Sequence, residues 1–437
     1  MTASSTALGA TVQAPAGEAP LPLAERYRAH LSTGRATLGE LLGGDAEVSS
    51  SGARLRTAAG RDYLNCGGYG VFLTGACHPR VVAAVEHQIR TLPLSSRMLL
   101  EPRAADAAEA LARVTPPGLE RVHFTNSGAE AVECALKLAR AHGHRRIVSA
   151  RGGYHGKTLG ALSATGQPLY QDPFLPLLDR VHIPYGDAEA LAEVLGDDGS
   201  DAVVLLEPVQ SEAGVILPPD GYLTEVAALC ARTGAFFVLD EVMTGLGRTG
   251  LWWGAQREGV VPDVLLVGKA LSGGVVPVAA AVATERAYRP FDRDPFLHTS
   301  TYSAAPIAMA AAEAAVTVIE QEGLVDRAAA LGTELLALVR TALHTNCPHL
   351  VREVRGRGLL IGVEFRDAGL AGEFLLEMLD RGVLLNHSLN AHAVVRLTPP
   401  AVLTAAEVRQ LGTAVEGAAR ALADRFNENP GGPECAR

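Results

Sequence analysis

Three strand-like runs in the sequence end in residues that can do acid–base or nucleophilic chemistry. Asp240 ends the apolar run AFFVLD, Glu207 follows DAVVLL, and Lys269 follows DVLLVG. A fourth run, RVHFT, leads through 127–129 into a strongly amphipathic helical pattern that ends at Gly143. Because ligands of α/β proteins bind beyond the carboxyl ends of the strands, we expect these residues to meet at one edge of a sheet.

Together these residues supply the parts of a pyridoxal phosphate site. A helix N-terminus offers backbone N–H groups to a phosphate, a buried Asp240 keeps a pyridine nitrogen protonated, and Lys269 can form a Schiff base and carry a proton. Each residue also has a plainer reading, since a strand-end aspartate often caps the next helix and a single lysine is usually solvated. It is the combination that favours a cofactor site.

The elements that must position these residues alternate between short β-branched runs and helical patterns. This alternation indicates an α/β domain around a mainly parallel sheet. Beyond an Ala-rich helix that ends near Glu322, GLLIGVEF and VVRLTP predict strands of a second, smaller sheet, with helices over about 371–381 and 404–425. At the other end of the chain, the pattern over 22–45 predicts one N-terminal helix.

Composition excludes several classes of protein. The chain has 437 residues and a net charge of −10, from 48 acidic and 38 basic residues, which argues against a nucleic-acid or anionic-membrane partner. No apolar run approaches the ~20 residues of a membrane span. The six cysteines include no C-x-x-C pair and no Cys/His cluster, so neither a zinc site nor a disulfide framework is predicted. Residues 1–20 lack a signal-peptide pattern and predict a disordered tail, and we expect a cytoplasmic protein.

The motif GLGRTG, over 245–250, matches the G-x-G-x-x-G pattern of dinucleotide-binding sites. Such a site needs a helix that opens on the glycines and an acidic residue about 20 positions later. Here LWWGAQREG follows without a clear helical start, and 264–269 stand where the acid is required. We therefore interpret the motif as a loop between the strand of Asp240 and the strand of Lys269.

LDEVMTGLGRTG followed by PDVLLVGKALSGG resembles the signature of class III pyridoxal-phosphate aminotransferases of fold type I. RDYLNCGGYGVFLTG, NSGAEAVECALKLAR, YHGKTLGALSATG, LEPVQSEAGVILPPDGYL, FLHTSTYS and VVRLTPP also follow the family's order, from about residue 50 to 425. The resemblance implies an α/β fold with a large domain around a mainly parallel sheet and a smaller α+β domain. After the tail, the expected divisions are an N-terminal segment at 21–65 packing with the small domain, a large cofactor-binding domain at 66–322, and the small domain at 323–437.

The resemblance also implies a role for each candidate site residue. Lys269 is expected to hold the cofactor covalently and to move the reacting proton, with Asp240 on the pyridine nitrogen and Glu207 near the ring. Further expected cofactor contacts are Ser127, Gly128 and Ala129 at the phosphate, Tyr154 and Val242 on the two ring faces, His155 beside Tyr154 or simply packed in the core, Met243, and Thr301 reaching the neighbouring phosphate site of a homodimer. Expected substrate contacts are Tyr69 as a channel wall, Gln210, Arg396 gripping a keto acid, and Glu212 neutralising or releasing that arginine.

Within the family, GGYGVF, KTLGALSATG, GVILPPDGYL and DPFLHT are similar to putrescine aminotransferases. This implies an ω-amino donor such as a diamine, or amination of a terminal aldehyde in reverse, with a keto acid as acceptor. An ornithine-type or acetylornithine-type aminotransferase, a glutamate-1-semialdehyde-type aminomutase and a non-catalytic protein of the same fold stay open. Departures from the family's pattern bear on the substrate: Met243 replaces a usual Gln, SAAP at 303–306 replaces Gly-Gly-Asn-Pro, and Ala76-Cys77 stand where His is frequent.

Overall fold

The computed structural model describes residues 21–427, so the tail predicted at residues 1–20 lies outside the described residues. Contacts divide the described chain into two units. The first unit comprises residues 21–48 and 57–60, and the second comprises residues 49–56 and 61–427. All candidate site residues belong to the second unit.

The first unit contains two short helices, α1 (Leu23–His30) and α2 (Thr33–Leu41), which pack on each other. The prediction of a single helix over 22–45 is wrong, because the first helix ends at His30 and the second begins after Ser32. The Ser32 hydroxyl accepts a hydrogen bond from the Arg35 N–H and so caps the second helix.

The other elements follow in chain order. The strands are β1 (Glu47–Ser51), β2 (Arg54–Thr57), β3 (Asp62–Asn65), β4 (Leu119–Thr125), β5 (Arg146–Ala150), β6 (Arg180–Ile183), β7 (Ala202–Leu206), β8 (Phe236–Asp240), β9 (Val264–Val267), β10 (Ala279–Thr284), β11 (Val351–Arg357), β12 (Leu360–Phe365), β13 (Val383–Leu384), β14 (Asn386–His387) and β15 (Val394–Leu397). The helices are α3 (Pro79–Thr91), α4 (Pro102–Val114), α5 (Gly128–Ala141), α6 (Leu159–Ala164), α7 (Pro168–Gln171), α8 (Ala188–Leu195), α9 (Tyr222–Thr233), α10 (Glu285–Arg293), α11 (Pro306–Gln321), α12 (Leu324–Asn346), α13 (Ala368–Asp380) and α14 (Ala405–Asn427).

Strands β4 to β10 form a seven-stranded sheet in the order β4-β10-β9-β8-β7-β5-β6. Every neighbouring pair is parallel except the two that involve β10, which runs antiparallel to both β4 and β9. The prediction of an α/β fold around a mainly parallel sheet is therefore confirmed. Because β4 and β9 both oppose β10, the carboxyl ends of β4, β7, β8 and β9 lie at the same edge of the sheet.

Apolar clusters cover both faces of this sheet. Alternate residues of β7 and β8 belong to opposite clusters, one of them built largely on α5 and the other extending to α11. All the residues of β7 and β8 are buried, which explains why these strands read as continuous apolar runs instead of alternating ones.

A second sheet in the C-terminal part is antiparallel, in the order β11-β12-β15-β14. Its strands β12 and β15 correspond to the predicted strands GLLIGVEF and VVRLTP, and β15 carries Arg396 opposite Gly362. Strand β13 pairs instead with β3 in parallel. Among the helices within 21–427, none combines the length and apolar character that a bilayer crossing requires.

Candidate active site

A cavity of about 240 Å³ is lined by residues that follow β5, β7, β8 and β9, together with the start of α5. The lining residues are Gly128, Ala129, Tyr154, His155, Gly156, Lys157, Glu207, Ser211, Glu212, Asp240, Val242, Met243 and Lys269. The structure thus brings together most of the sequence-predicted site residues. Those outside the lining are Ser127, Gln210, Arg396, Tyr69 and Thr301.

Asp240 is held in place by two hydrogen bonds at the end of β8. Its Oδ1 accepts from the Val242 backbone N–H across 3.0 Å, and its Oδ2 lies 2.8 Å from His155 Nδ1. An ionised carboxylate can only accept a hydrogen bond, so His155 carries a proton on Nδ1. Both side chains are buried, and together they present a fixed carboxyl group to the cavity.

Lys269 follows β9 by two residues and has φ 44°, a left-handed conformation that costs a non-glycine residue about 1–3 kcal/mol. Its side chain lines the cavity. Burial lowers the pKa of Lys269 below its usual value, while the negative charges of Glu212 and Asp240 act in the opposite direction. Burial therefore favours the uncharged amine, which is the nucleophilic and basic form.

The start of α5 forms a narrow cradle at one wall of the cavity. Ser127 caps the helix, because its hydroxyl accepts from the Glu130 N–H across 3.2 Å. A Cβ atom on Gly128 would lie 3.1 Å from Val242 Cγ1, so a larger residue at the first helical position would require Val242 to shift. The free N–H groups of a helix N-terminus and its dipole favour an anion at this wall.

Glu207 links the segment of Tyr154 to the segment of Ser211. Its Oε1 accepts from the Tyr154 N–H across 3.0 Å, and its Oε2 accepts from the Ser211 N–H across 3.3 Å. Burial raises the pKa of Glu207 to about 7, although these two donors favour the ionised form. The carboxyl group is therefore available as a hydrogen-bond donor or acceptor near neutral pH.

Glu212 and Arg396 form a buried ion pair next to the cavity. Glu212 Oε1 lies 2.7 Å from Arg396 Nη1, which also donates to Ser211 Oγ across 2.7 Å. Glu212 Oε2 accepts from the Leu389 N–H across 3.0 Å. Nε and Nη2 of Arg396 are buried and have no hydrogen-bond partner in the described part of the chain. An unpaired donor of this kind is costly to bury, so the guanidinium is poised to receive an acceptor.

Gln210, Tyr69 and Thr301 lie away from the lining. Gln210 is buried, and its Nε2 donates to the Arg151 carbonyl across 3.0 Å. Tyr69 is 49% exposed, and Thr301 is exposed on the segment between α10 and α11. Their roles in binding stay predictions.

The segment GLGRTG forms turns instead of opening a helix, which confirms its interpretation as a loop. Arg248 within it is fully buried and donates to three backbone carbonyls, those of Gly70, Leu359 and Pro399. Burial lowers the pKa of Arg248 to about 9. A Cβ atom on Gly250 would lie 2.9 Å from Ala329 Cα, so this glycine is needed for packing and not for a phosphate.

Sequence reasoning missed other residues that build the site. Ser211, Gly156 and Lys157 line the cavity, and each adjoins a residue that a motif had identified. Glu241 is also buried, but it faces away from the lining and accepts from the N–H groups of 254 and 255 at 2.9 and 2.7 Å. The signal for these residues was that each stands inside a motif of the family, close to a residue to which a role had been assigned.

The fold and this site define a pyridoxal-phosphate-dependent transferase of fold type I. The chain belongs to the class-III aminotransferases, because the sequence model of that family matches residues 46–418. It is therefore a pyridoxal-phosphate-dependent transaminase.

Solved structures of transaminases are similar to the chain over most of its length. An ornithine aminotransferase from Toxoplasma gondii has 31% identity and a TM-score of 0.82, over 92% of this chain and 98% of the other. An (S)-enantioselective omega-transaminase from Thermomicrobium roseum has 28% identity and a TM-score of 0.82, over 89% and 95%. A PLP-bound amine transaminase from an uncultivated Pseudomonas species has 29% identity and a TM-score of 0.77, over 86% and 94%.

The residues of the cavity fit pyridoxal phosphate. Gly128 leaves space where a side chain would contact Val242, and the helix N-terminus beside it suits a phosphate. The fixed carboxyl group of Asp240 is suited to a protonated pyridine nitrogen, and the buried amine of Lys269 is suited to a covalent bond with the cofactor aldehyde.

Proposed function

We propose that the enzyme moves the amino group of an ω-amino compound, such as the diamines putrescine and cadaverine, to a keto acid. In the reverse sense it would aminate a terminal aldehyde. The observation that carries this proposal is the ion pair of Glu212 and Arg396. With this guanidinium neutralised, the cavity lining contributed by residues 21–427 contains no arginine for the α-carboxylate of a donor. The closed ion pair therefore favours a donor without an α-carboxylate.

A keto acid would bind Arg396 after Glu212 releases it, because the guanidinium charge is then available to the carboxylate. Two buried nitrogens of the guanidinium have no partner within residues 21–427, and a carboxylate could occupy them as a bidentate pair. Glu212 keeps the Leu389 N–H as a donor when it releases the arginine, which limits the cost of opening the ion pair. Arg396 would thus bind the carboxylate of the acceptor and make no contact with the diamine.

Bound in this cavity, pyridoxal phosphate supplies an electron-withdrawing ring that accepts the electron pair released at the substrate carbon. We assign its phosphate to the N–H groups at 127–129 and its pyridine nitrogen to Asp240. Tyr154 and Val242 would flank the ring. Met243 cannot donate a hydrogen bond, so its contribution there is packing.

Lys269 is the residue we assign to proton transfer. Burial favours the uncharged form of its Nζ, and that form can take the proton from the carbon that bears the donor's amino group. His155 acts through Asp240, whose carboxyl group it orients. Glu207 can hold a proton near pH 7. Its hydrogen bond to the Tyr154 N–H holds that segment beside the position of the ring.

Ornithine is the second candidate donor, favoured by the 31% identity to the Toxoplasma gondii ornithine aminotransferase. Its terminal amine also sits on an unbranched chain, but its α-carboxylate requires a cation at the far end. Lys157 is exposed at the cavity, with Nζ 3.8 Å from the centre of the Tyr170 ring, and is the cation available for it.

A homodimer in which Thr301 completes the neighbouring phosphate site is part of the proposal. Arg97 donates to the Ser300 carbonyl. This bond joins the exposed segment between α3 and α4 to the exposed segment between α10 and α11. These segments carry apolar side chains in solvent, including Leu100 at 103% and Phe296 at 80% exposure. A shared apolar surface of this kind is typical of an interface.

The test is a donor and acceptor panel on the holoenzyme. Putrescine, cadaverine, ornithine and N-acetylornithine are each combined with 2-oxoglutarate or pyruvate, and each product is measured. We expect kcat/KM for the diamines to exceed that for ornithine by about tenfold or more. The reverse order would establish ornithine as the donor. Isomerisation of glutamate-1-semialdehyde without a keto acid would replace the proposal with an aminomutase.

A further inference from the structure

Two histidines and one cysteine converge from three separate elements, outside the lining of the active-site cavity. His123 lies on β4, Cys134 on α5, and His298 on the segment between α10 and α11. One potential ligand atom from each residue lies within 4.8 Å of those of the other two. His298 is far from the other two in the sequence, so no local Cys/His motif marks the cluster.

The polar atoms of this cluster are incompletely satisfied. Cys134 is a fully buried free thiol. His123 Nε2 is buried without a hydrogen-bond partner among the described residues, whereas its Nδ1 lies 3.2 Å from the Tyr288 hydroxyl. A metal-bound histidine commonly shows this division, with one ring nitrogen on the ion and the other in a hydrogen bond.

Aromatic packing accounts for only part of the arrangement. The ring of Phe291 lies 5.3 Å from that of His123 and 5.9 Å from that of His298. Such contacts stabilise flat rings of any kind, including phenylalanine. They give no reason for a thiol and an unpaired imidazole nitrogen at the centre of the cluster.

We propose that His123, Cys134 and His298 bind one divalent transition-metal ion, with zinc as the best match and water as a fourth ligand. Two imidazoles and a thiolate suit zinc and not magnesium or calcium, which prefer oxygen. Zinc bonds of about 2.0–2.3 Å set tetrahedral ligand atoms about 3.3–3.8 Å apart. The ligand atoms lie within 4.8 Å of one another, so binding requires them to approach by up to about 1–1.5 Å through side-chain rotation.

Two features of the cluster weaken the binding of a metal ion. Lys137 Nζ lies 3.2 Å from His298 Nδ1, so an ammonium stands next to one ligand. Lys137 is exposed and can turn into solvent. Burial raises the pKa of the Cys134 thiol, and its proton must leave to solvent as the sulfur binds the ion.

A bound ion would fasten the segment of His298 to α5. That segment also carries Thr301, and α5 begins at Gly128 in the wall of the cavity. The ion would therefore stabilise the arrangement around the cofactor without touching it. Its effect is expected as a higher melting temperature with zinc.

The test uses the full-length, cofactor-loaded protein, stripped of metals with a chelator and titrated with zinc against a chromophoric competitor. We expect one zinc per chain and an X-ray absorption shell of one sulfur at about 2.3 Å and two nitrogens at about 2.0–2.1 Å. Cys134→Ser should weaken zinc binding at least ~100-fold and His298→Gln at least ~10-fold. Lys137→Met should strengthen it, because a like charge is removed.

The matched control is Cys230→Ser, which changes another buried cysteine whose pKa burial also raises, and zinc binding should not change. Circular dichroism checks that each variant is folded. Less than one zinc per chain, a shell without sulfur, or unchanged binding in Cys134→Ser would overturn the proposal.

Discussion

His155 Nδ1 donates to Asp240 Oδ2 across 2.8 Å, between two buried side chains at the end of β8. The Val242 N–H holds the other carboxyl oxygen. The orientation of the Asp240 carboxyl group in the cavity is thus set by two donors, of which only one is a side chain. His155 is a positioning residue by this geometry.

His155→Leu should raise the Kd for pyridoxal phosphate about 10–100-fold, because a hydrogen bond to a charged group contributes about 1.5–3 kcal/mol. His155→Asn keeps an N–H donor and should restore most of the affinity. Fluorescence titration of the cofactor-free protein measures both. Equal losses in the two variants would mean that His155 acts by packing alone.

Lys269→Ala should abolish covalent attachment of the cofactor and lower kcat by more than about 10⁴-fold, because the proton-transfer group is lost. Borohydride reduction followed by peptide mass spectrometry detects the attachment. Lys157→Ala, which removes the other lysine of the cavity lining, should keep it. Attachment that survives in Lys269→Ala would show that the assignment is wrong.

Arg396→Met should raise KM for the keto acid about 100-fold, in line with the 2–5 kcal/mol lost when one partner of a buried charge pair is removed. The diamine half-reaction should change much less, since the arginine is paired with Glu212 in that state. Single-turnover absorbance measures the two half-reactions separately. An equal effect on both would argue against a role specific to the acceptor.

Much of the fold and many of the site positions could be predicted from the sequence because they depend on local patterns. Strands β7 and β8 are buried on both faces and so read as apolar runs, and the candidate site residues Glu207 and Asp240 stand where these runs end. Because these strands are parallel, their carboxyl ends lie at one edge of the sheet, and the sequence pattern alone is enough to predict this.

The rest depended on contacts between distant segments. Arg248 bonds to the carbonyls of Gly70, Leu359 and Pro399, and no local pattern marks an arginine that binds backbone. The break between α1 and α2 depended on the cap at Ser32, inside a pattern that otherwise reads as one helix.

Glu207 should make stability depend on pH. Burial raises its pKa to about 7 from 4.5, so between these values the folded chain holds a proton that the unfolded chain has lost. Its contribution is complete below about pH 4.5 and declines as the pH rises to about 7. Glu207→Gln cannot titrate, so the unfolding free energy of the variant minus that of the wild type should rise by about 1–3 kcal/mol between pH 5 and 8. Urea unfolding of the cofactor-free proteins measures this difference, and a constant value would mean that Glu207 is ionised in both states.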